Sequence, residues 1–243
     1  MPVIVFIHGL GTNHKVWTDA EDVKILLGRY PLTTVLARPP RVDRHDGLIN
    51  FGVRPKNPRT VFHDLKDSGF TLLLYSQRRS AAGHQVILRE LREVLNEYSL
   101  IDSKPIIFIC HSRGGLIARK LLETERIKCA GLITIGTPHH GSQMARLAGY
   151  LKKLLPLVEP FLKNRLRKES SEIIDRITTI LKGKATSELL PGSKFIKSLD
   201  NSILKSIKTL SIGGTDPTLL AIYRFNKRMN AYTPVLKIPN ILS

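Results

Sequence analysis

The chain has 243 residues, 42% of them hydrophobic, and 38 Lys and Arg stand against 20 Asp and Glu for a formal charge of +18. That size suits one domain with a substantial core, and no run reaches the roughly eighteen apolar residues that a membrane span needs. Cys110 and Cys129 both sit on or beside apolar strand-type runs, which argues against a disulfide framework, and no basic leader precedes the first strand. The expected location is therefore cytoplasmic, with peripheral membrane contact as its extension.

So positive a chain attracts polyanions. Its basic residues are dispersed and aromatics are only 6% of the sequence, so the stacking stripe of a single-strand binder is missing. An anionic lipid surface is preferred to any specific nucleic acid as the partner. A generally basic protein with no specific partner remains equally open.

Taken in chain order, residues 3–7 form an apolar strand that runs into His8-Gly9-Leu10-Gly11, and residues 16–27 are predicted to be helical. Residues 31–60 are a Pro- and Arg-rich excursion without periodicity. A helix over 61–68 ends at Gly69, a strand follows over 70–75, and apolar residues near the helical period predict a helix over 85–98. The strand 106–110 leads into His111-Ser112-Arg113-Gly114-Gly115, then a helix over 116–123 and a strand over 131–135. This alternation predicts a mostly parallel sheet flanked by helices, with functional residues at the strands' C-terminal ends. A long helical stretch follows over 143–202, with Leu147, Leu151, Leu154, Leu155, Val158 and Leu162 on one face and lysines and arginines between them. Pro156 and Pro160 break it into shorter helices. A last strand over 207–212 precedes Gly213-Gly214-Thr215-Asp216-Pro217.

The segment Cys110-His111-Ser112-Arg113-Gly114 carries the chemistry. A strand, a sharp turn and a helix lift the Ser hydroxyl clear of the sheet and aim backbone N–H groups at a developing oxyanion. It departs from G-x-S-x-G only in having Cys, another small residue, at the first position. No H-E-x-x-H, paired C-x-x-C or acidic cluster points to a metal, and Gly9-Leu10-Gly11 lacks the third glycine of a dinucleotide fingerprint. The expected mechanism is cofactor-free.

Taken with Gly136-Thr137-Pro138-His139-His140-Gly141-Ser142, these motifs resemble the lipase and esterase branch of the α/β-hydrolase family, over about residues 3–145. The resemblance implies carboxylic-ester hydrolysis on an apolar acyl or lipid substrate, through an acyl-enzyme on Ser112. It further implies oxyanion donors at the N–H groups of Leu10 and Arg113, and a helical cap inserted over 143–202 between a core of 1–142 and a return to the core over 203–243. His8, Gly9, His111, Gly114 and His139 are the accompanying motif residues. The family's chain order, Ser, acid, His, makes Asp216 the candidate acid.

The family's His should follow that acid, and no His occurs after His140. Three readings stay open. The chain continues in a longer protein; another His (His111, His139, His140 or His8) is the base; or the fold is kept without catalysis and binds lipid or a protein partner.

Overall fold

The computed structural model describes residues 1–19, 24–25, 30–31, 49–50, 59–142, 145, 179, 182–214, 218–226 and 228–239. Its centre is a five-stranded sheet of β1 (Val3–Ile7), β5 (Thr71–Tyr75), β6 (Ile106–His111), β7 (Cys129–Ile135) and β8 (Thr209–Ile212). The spatial order is β5-β1-β6-β7-β8 and every pairing is parallel. Three short strands complete the numbering to this point: β2 (Lys24–Ile25) pairs with β3 (Tyr30–Pro31), and β4 (Ile49–Asn50) pairs elsewhere. β1 is buried at all five positions. A strand covered on both faces must be continuously apolar, as Val-Ile-Val-Phe-Ile is.

The helices account for the two faces. On one, Val3, Val5, Ile7, Phe108 and Cys110 pack against Ile87, Leu91 and Leu95 of α3 (His84–Glu97) and Ile117 and Leu121 of α5 (Arg113–Thr124). On the other, Ile4, Phe6 and Ile109 meet Val16 and Trp17 of α1 (Lys15–Thr18), and Phe62 and Leu65 of α2 (Val61–Leu65). Phe6 sits 5.2 Å from Trp17 and 6.2 Å from Phe62, ring centre to ring centre. Each fully buried side chain of this size contributes roughly 1.5–3 kcal/mol. α4 (Leu100–Ser103) leads into β6.

The chain goes from β1 outward to β5, then returns to the far side of β1 to make β6, and β7 and β8 continue that way. The order therefore reverses at β1, and in open α/β sheets such a reversal point, outside the strands' C-terminal ends, is where ligand sites form. All four residues of β8 are exposed, Leu210 and Ile212 among them. Beyond the sheet come α6 (Lys184–Glu188), α7 (Lys194–Lys197) and α8 (Ser202–Ser206). β9 (Thr218–Asn226) and β10 (Ala231–Pro239) form an antiparallel hairpin, and β9 also pairs with β4 in a separate three-stranded sheet.

Two expectations need correction. The helix over 16–27 is a single turn: Asp19 donates to Lys15 O and then leaves helical geometry, and Lys24 and Ile25 are strand. Of that turn, Val16 and Trp17 pack on the sheet. The elbow helix begins at Arg113 rather than at 116. Gly114 and Gly115, poor helix formers, lie inside it because of what passes beside them. The remainder of 16–27, the excursion over 31–60 apart from Pro31, Ile49, Asn50, Arg59 and Thr60, and most of 143–202 lie outside the described residues.

Candidate active site

Ser112 stands between β6 and α5 with φ 52° and ψ −128°. A non-glycine residue held there stores of order 1–3 kcal/mol, which its surroundings must supply. The Ser112 N–H donates to Ile135 O at 2.8 Å, while its carbonyl accepts from Gly115 N–H at 3.1 Å and from Thr137 Oγ1 at 2.9 Å. A side-chain carbon on Gly114 would stand 2.5 Å from Ile7 O, and one on Gly115 would overlap Thr137. The two glycines thus let the elbow helix press against β1 and against the turn after β7. Thr137, from the Gly-Thr-Pro turn, is a buttress of the elbow.

The register Ile7↔Cys110 places the turn after β1 beside the elbow. Gly9 meets Ser112 itself: a carbon added there would lie 2.8 Å from Ser112 Cβ, 3.3 Å from its Oγ and 3.2 Å from His111 Nδ1. The turn continues through Leu10, half-buried against Leu116 and Leu189, to Gly11 at φ 73°. Among the described residues, no backbone or side-chain acceptor takes the Leu10 or Arg113 N–H. The positive end of α5 points the same way. Hydroxyl, two free donors and a helix N-terminus make an arrangement able to attack an acyl carbon and hold the resulting oxyanion.

The histidines divide by what holds their rings. His8 is fully buried; Nε2 accepts the Gln77 N–H at 2.9 Å, so Nδ1 carries the proton and donates to Gly9 O at 2.8 Å. The Gln77 side chain returns a bond to His8 O at 2.7 Å. Burial lowers the His8 pKa to about 4. His8 is a fastener of the Gly9 turn. His139 accepts from Arg119 Nη1 at Nδ1 (3.1 Å), and its Nε2 faces Thr134 Oγ1 (3.2 Å), so both nitrogens are engaged. Burial and the Arg119 charge lower its pKa. His111 Nδ1 is buried without a partner, and burial lowers its pKa too.

Arg113 has a second role through its side chain, which is fully buried. Its guanidinium donates to Ser80 O at 3.0 Å, Ala82 O at 2.8 Å and Glu188 Oε2 at 3.1 Å. Glu188, on α6, also takes His84 N–H and meets His84 Nδ1, both at 2.8 Å. The His84 ring stacks on Phe195 of α7 at 4.2 Å. Burial opposes the Glu188 charge, but the His84 bonds and Arg113 outweigh it and hold its pKa below the usual carboxylate value. One network therefore ties the residue after Ser112 to the segment following 143–181.

Sequence reasoning missed Gln77, Glu188, His84 and Thr137 as site supports. The first three meet their partners across 69, 75 and 104 residues, separations no local pattern announces. Thr137 lay inside a motif whose Thr could have been tested against the elbow carbonyl. The structure brings Gly9, His111, Ser112 and Gly114 together at the reversal point, with Leu10 and Arg113 bracketing them. It commits His8 and His139 to the loops. Asp216 lies outside the described residues.

A parallel sheet with a Ser-bearing strand–helix elbow at its reversal point defines an α/β-hydrolase fold. Residues 82–216, more than half of the chain, match the PGAP1-like alpha/beta domain family, and the chain belongs to that family. Comparison with curated protein sequences gives no significant match. Among solved structures, the Legionella pneumophila phospholipase PlaB is similar at 14% identity and TM-score 0.50, over 89% of this chain and 40% of that one. The mature lipase BlEst2 of Bacillus licheniformis is similar at 19% identity and TM-score 0.48, over 88% of this chain and 66% of that one. The chain thus spans less than two thirds of either protein's length. These likenesses are of fold. Among the described residues no helix is long and apolar enough to cross a membrane.

Proposed function

We propose that this chain is a serine carboxylester hydrolase, cleaving apolar acyl or lipid esters through an acyl-enzyme on Ser112. The observation that carries the reading is Ser112 itself: a strained, non-glycine elbow residue with Gly9 pressed against its Oγ and free N–H donors on either side. Ser112 attacks the ester carbonyl, the carbonyl oxygen gathers charge between the Leu10 and Arg113 N–H groups, and the alcohol departs as the acyl-enzyme forms. Water then releases the acid. Asp216 is the proposed acid of the site, and residues 143–202 its proposed cap.

An apolar acyl group is supported by the cluster flanking the oxyanion turn, where Leu10 packs with Leu116, Leu189, Leu190 and Phe195. The +18 charge supports contact with an anionic membrane surface, where such esters are found. A cytoplasmic protein that visits that surface fits both. The chemistry proposed needs no cofactor.

The test is labelling of the purified chain with a fluorophosphonate probe beside Ser112→Ala, followed by p-nitrophenyl esters of rising acyl length. Labelling confined to the wild type, with turnover rising from acetate to longer chains, is expected. A folded wild type that neither labels nor turns over any ester would refute the enzyme and leave a lipid- or protein-binding member of the fold.

A further inference from the structure

We propose that Glu188 is a positioning residue of the site: with its neighbour Leu189 it holds the two oxyanion donors at their working separation, an inference that rests on the hydrolase reading above. The donors belong to different loops, the Leu10 N–H to the turn after β1 and the Arg113 N–H to the elbow after β6. The pairing of β1 with β6 ends at Ile7 and Cys110, so each donor stands three residues beyond the sheet's own register. Their separation is therefore set by what packs on the two loops.

Adjacent residues at the end of α6 reach both. Glu188 Oε2 accepts from Arg113 Nη2 at 3.1 Å, and Leu189 belongs to the apolar cluster on which Leu10 packs. The same stretch takes the turn after β7, whose Thr137 braces the elbow. Ser142 N–H donates to Leu189 O at 2.7 Å, and a side-chain carbon on Gly141 would stand 2.7 Å from Pro191. Three loops around Ser112 thus converge on residues 188–191.

The Glu188 carboxylate is itself held. Oε2 also accepts the His84 N–H and Oε1 faces His84 Nδ1, both at 2.8 Å, while Ala185 N–H donates to Ala81 O at 3.2 Å. The fully buried Arg113 guanidinium has its other bonds to the Ser80 and Ala82 carbonyls of that same 80–84 segment. A planar fork bonded to three acceptors is fixed in direction, and hydrogen bonds between charged groups are the stronger kind. The backbone it fixes opens α5 directly after Ser112. An acyl oxygen gathers its charge only on the way to the tetrahedral intermediate, so a donor displaced there lowers kcat and leaves KM.

The experiment compares wild type, Glu188→Ala, Glu188→Asp and Glu188→Gln in fluorophosphonate labelling and in turnover of a p-nitrophenyl ester and its thionoester, whose sulfur is a poor acceptor for the two N–H groups. Circular dichroism controls folding, and Phe62→Leu, on the opposite face of the sheet, controls for lost stability. In Glu188→Ala, labelling and ester kcat should fall about 10²-fold at unchanged KM, while thionoester turnover stays near the wild-type value. Glu188→Gln should restore most of the rate, because its amide oxygen can accept from Arg113 and the His84 N–H while its amide nitrogen donates to His84 Nδ1. Glu188→Asp, one methylene shorter, should fall between. A merely structural role lowers both esters alike. Folded variants whose two esters decline together, or not at all, overturn the proposal and leave Ser112 as nucleophile; so does a Phe62→Leu ester-to-thionoester ratio that shifts as far as that of Glu188→Ala. Should Glu188→Ala fail to fold, equal ratios in Glu188→Asp and Glu188→Gln overturn it. A folded wild type that neither labels nor turns over the ester overturns both readings together.

Discussion

Lowering the pH from 7 to 4 should destabilise this protein through His8. The ring is fully buried, bonded through both nitrogens and depressed from 6.5 to about 4. Between those values the unfolded chain carries a proton on His8 that the folded protein refuses, so unfolding takes up a proton. The His8 contribution is therefore fully present above pH 6.5, falls as the pH drops through that window, and is exhausted near pH 4. At 1.36 kcal/mol per pH unit the shift corresponds to about 3 kcal/mol. For a chain of this size that is roughly 6–12 °C in melting temperature. His111 and His139 are depressed by burial and act in the same direction, so the His8 share is isolated by difference. The assay is urea denaturation followed by circular dichroism at pH 7, 6, 5 and 4 for the wild type and for His8→Gln, whose neutral amide cannot titrate. The variant starts less stable, having lost shape and bond geometry, but its stability should decline about 3 kcal/mol less over the range. Parallel wild-type and His8→Gln curves would refute the argument and show that Gln77 and Gly9 do not discriminate between the ring's charge states.

Two further perturbations test the elbow's supports. Glu188→Ala strands the fully buried Arg113 guanidinium without its carboxylate, and thermal denaturation should show a loss of about 3–5 kcal/mol; a loss below 1 kcal/mol would mean that the Ser80 and Ala82 carbonyls suffice. Gly9→Ala places a methyl 2.8 Å from Ser112 Cβ in the space above the nucleophile. It should abolish fluorophosphonate labelling while costing about 1–3 kcal/mol of stability, the usual penalty for overpacking, and undiminished labelling would show that the turn can move aside.

Much of this molecule is local physics, and that much was legible before folding. β1 and β6 are continuous apolar runs because they are covered on both faces, and Gly-rich turns follow them because chain must pass close to chain there. A strand, a Ser and two glycines define an elbow within ten residues, so Ser112 could be picked out from its neighbours alone. The one-turn α1 departs from the helix expected over 16–27 because Asp19 leaves helical geometry and Lys24 and Ile25 pair as strand, which a single-sequence reading of that stretch does not announce.

The histidines mark the boundary most clearly. Sequence supplies eight rings and says which adjoin motifs, but a ring's chemistry depends on which atoms stand opposite its two nitrogens. For His8 that atom is the Gln77 amide, for His84 the Glu188 carboxylate, and for His139 the Arg119 guanidinium, each brought in from another element. His111 Nδ1, near the Gly9 turn, is buried with no such partner. The sequence by itself determined a parallel α/β sheet and a Ser held on a sharp bend, because both arise from neighbours along the chain. Only the tertiary structure decided which side chains are fasteners and which is left without a partner, because burial and hydrogen-bond partners arise from neighbours in space.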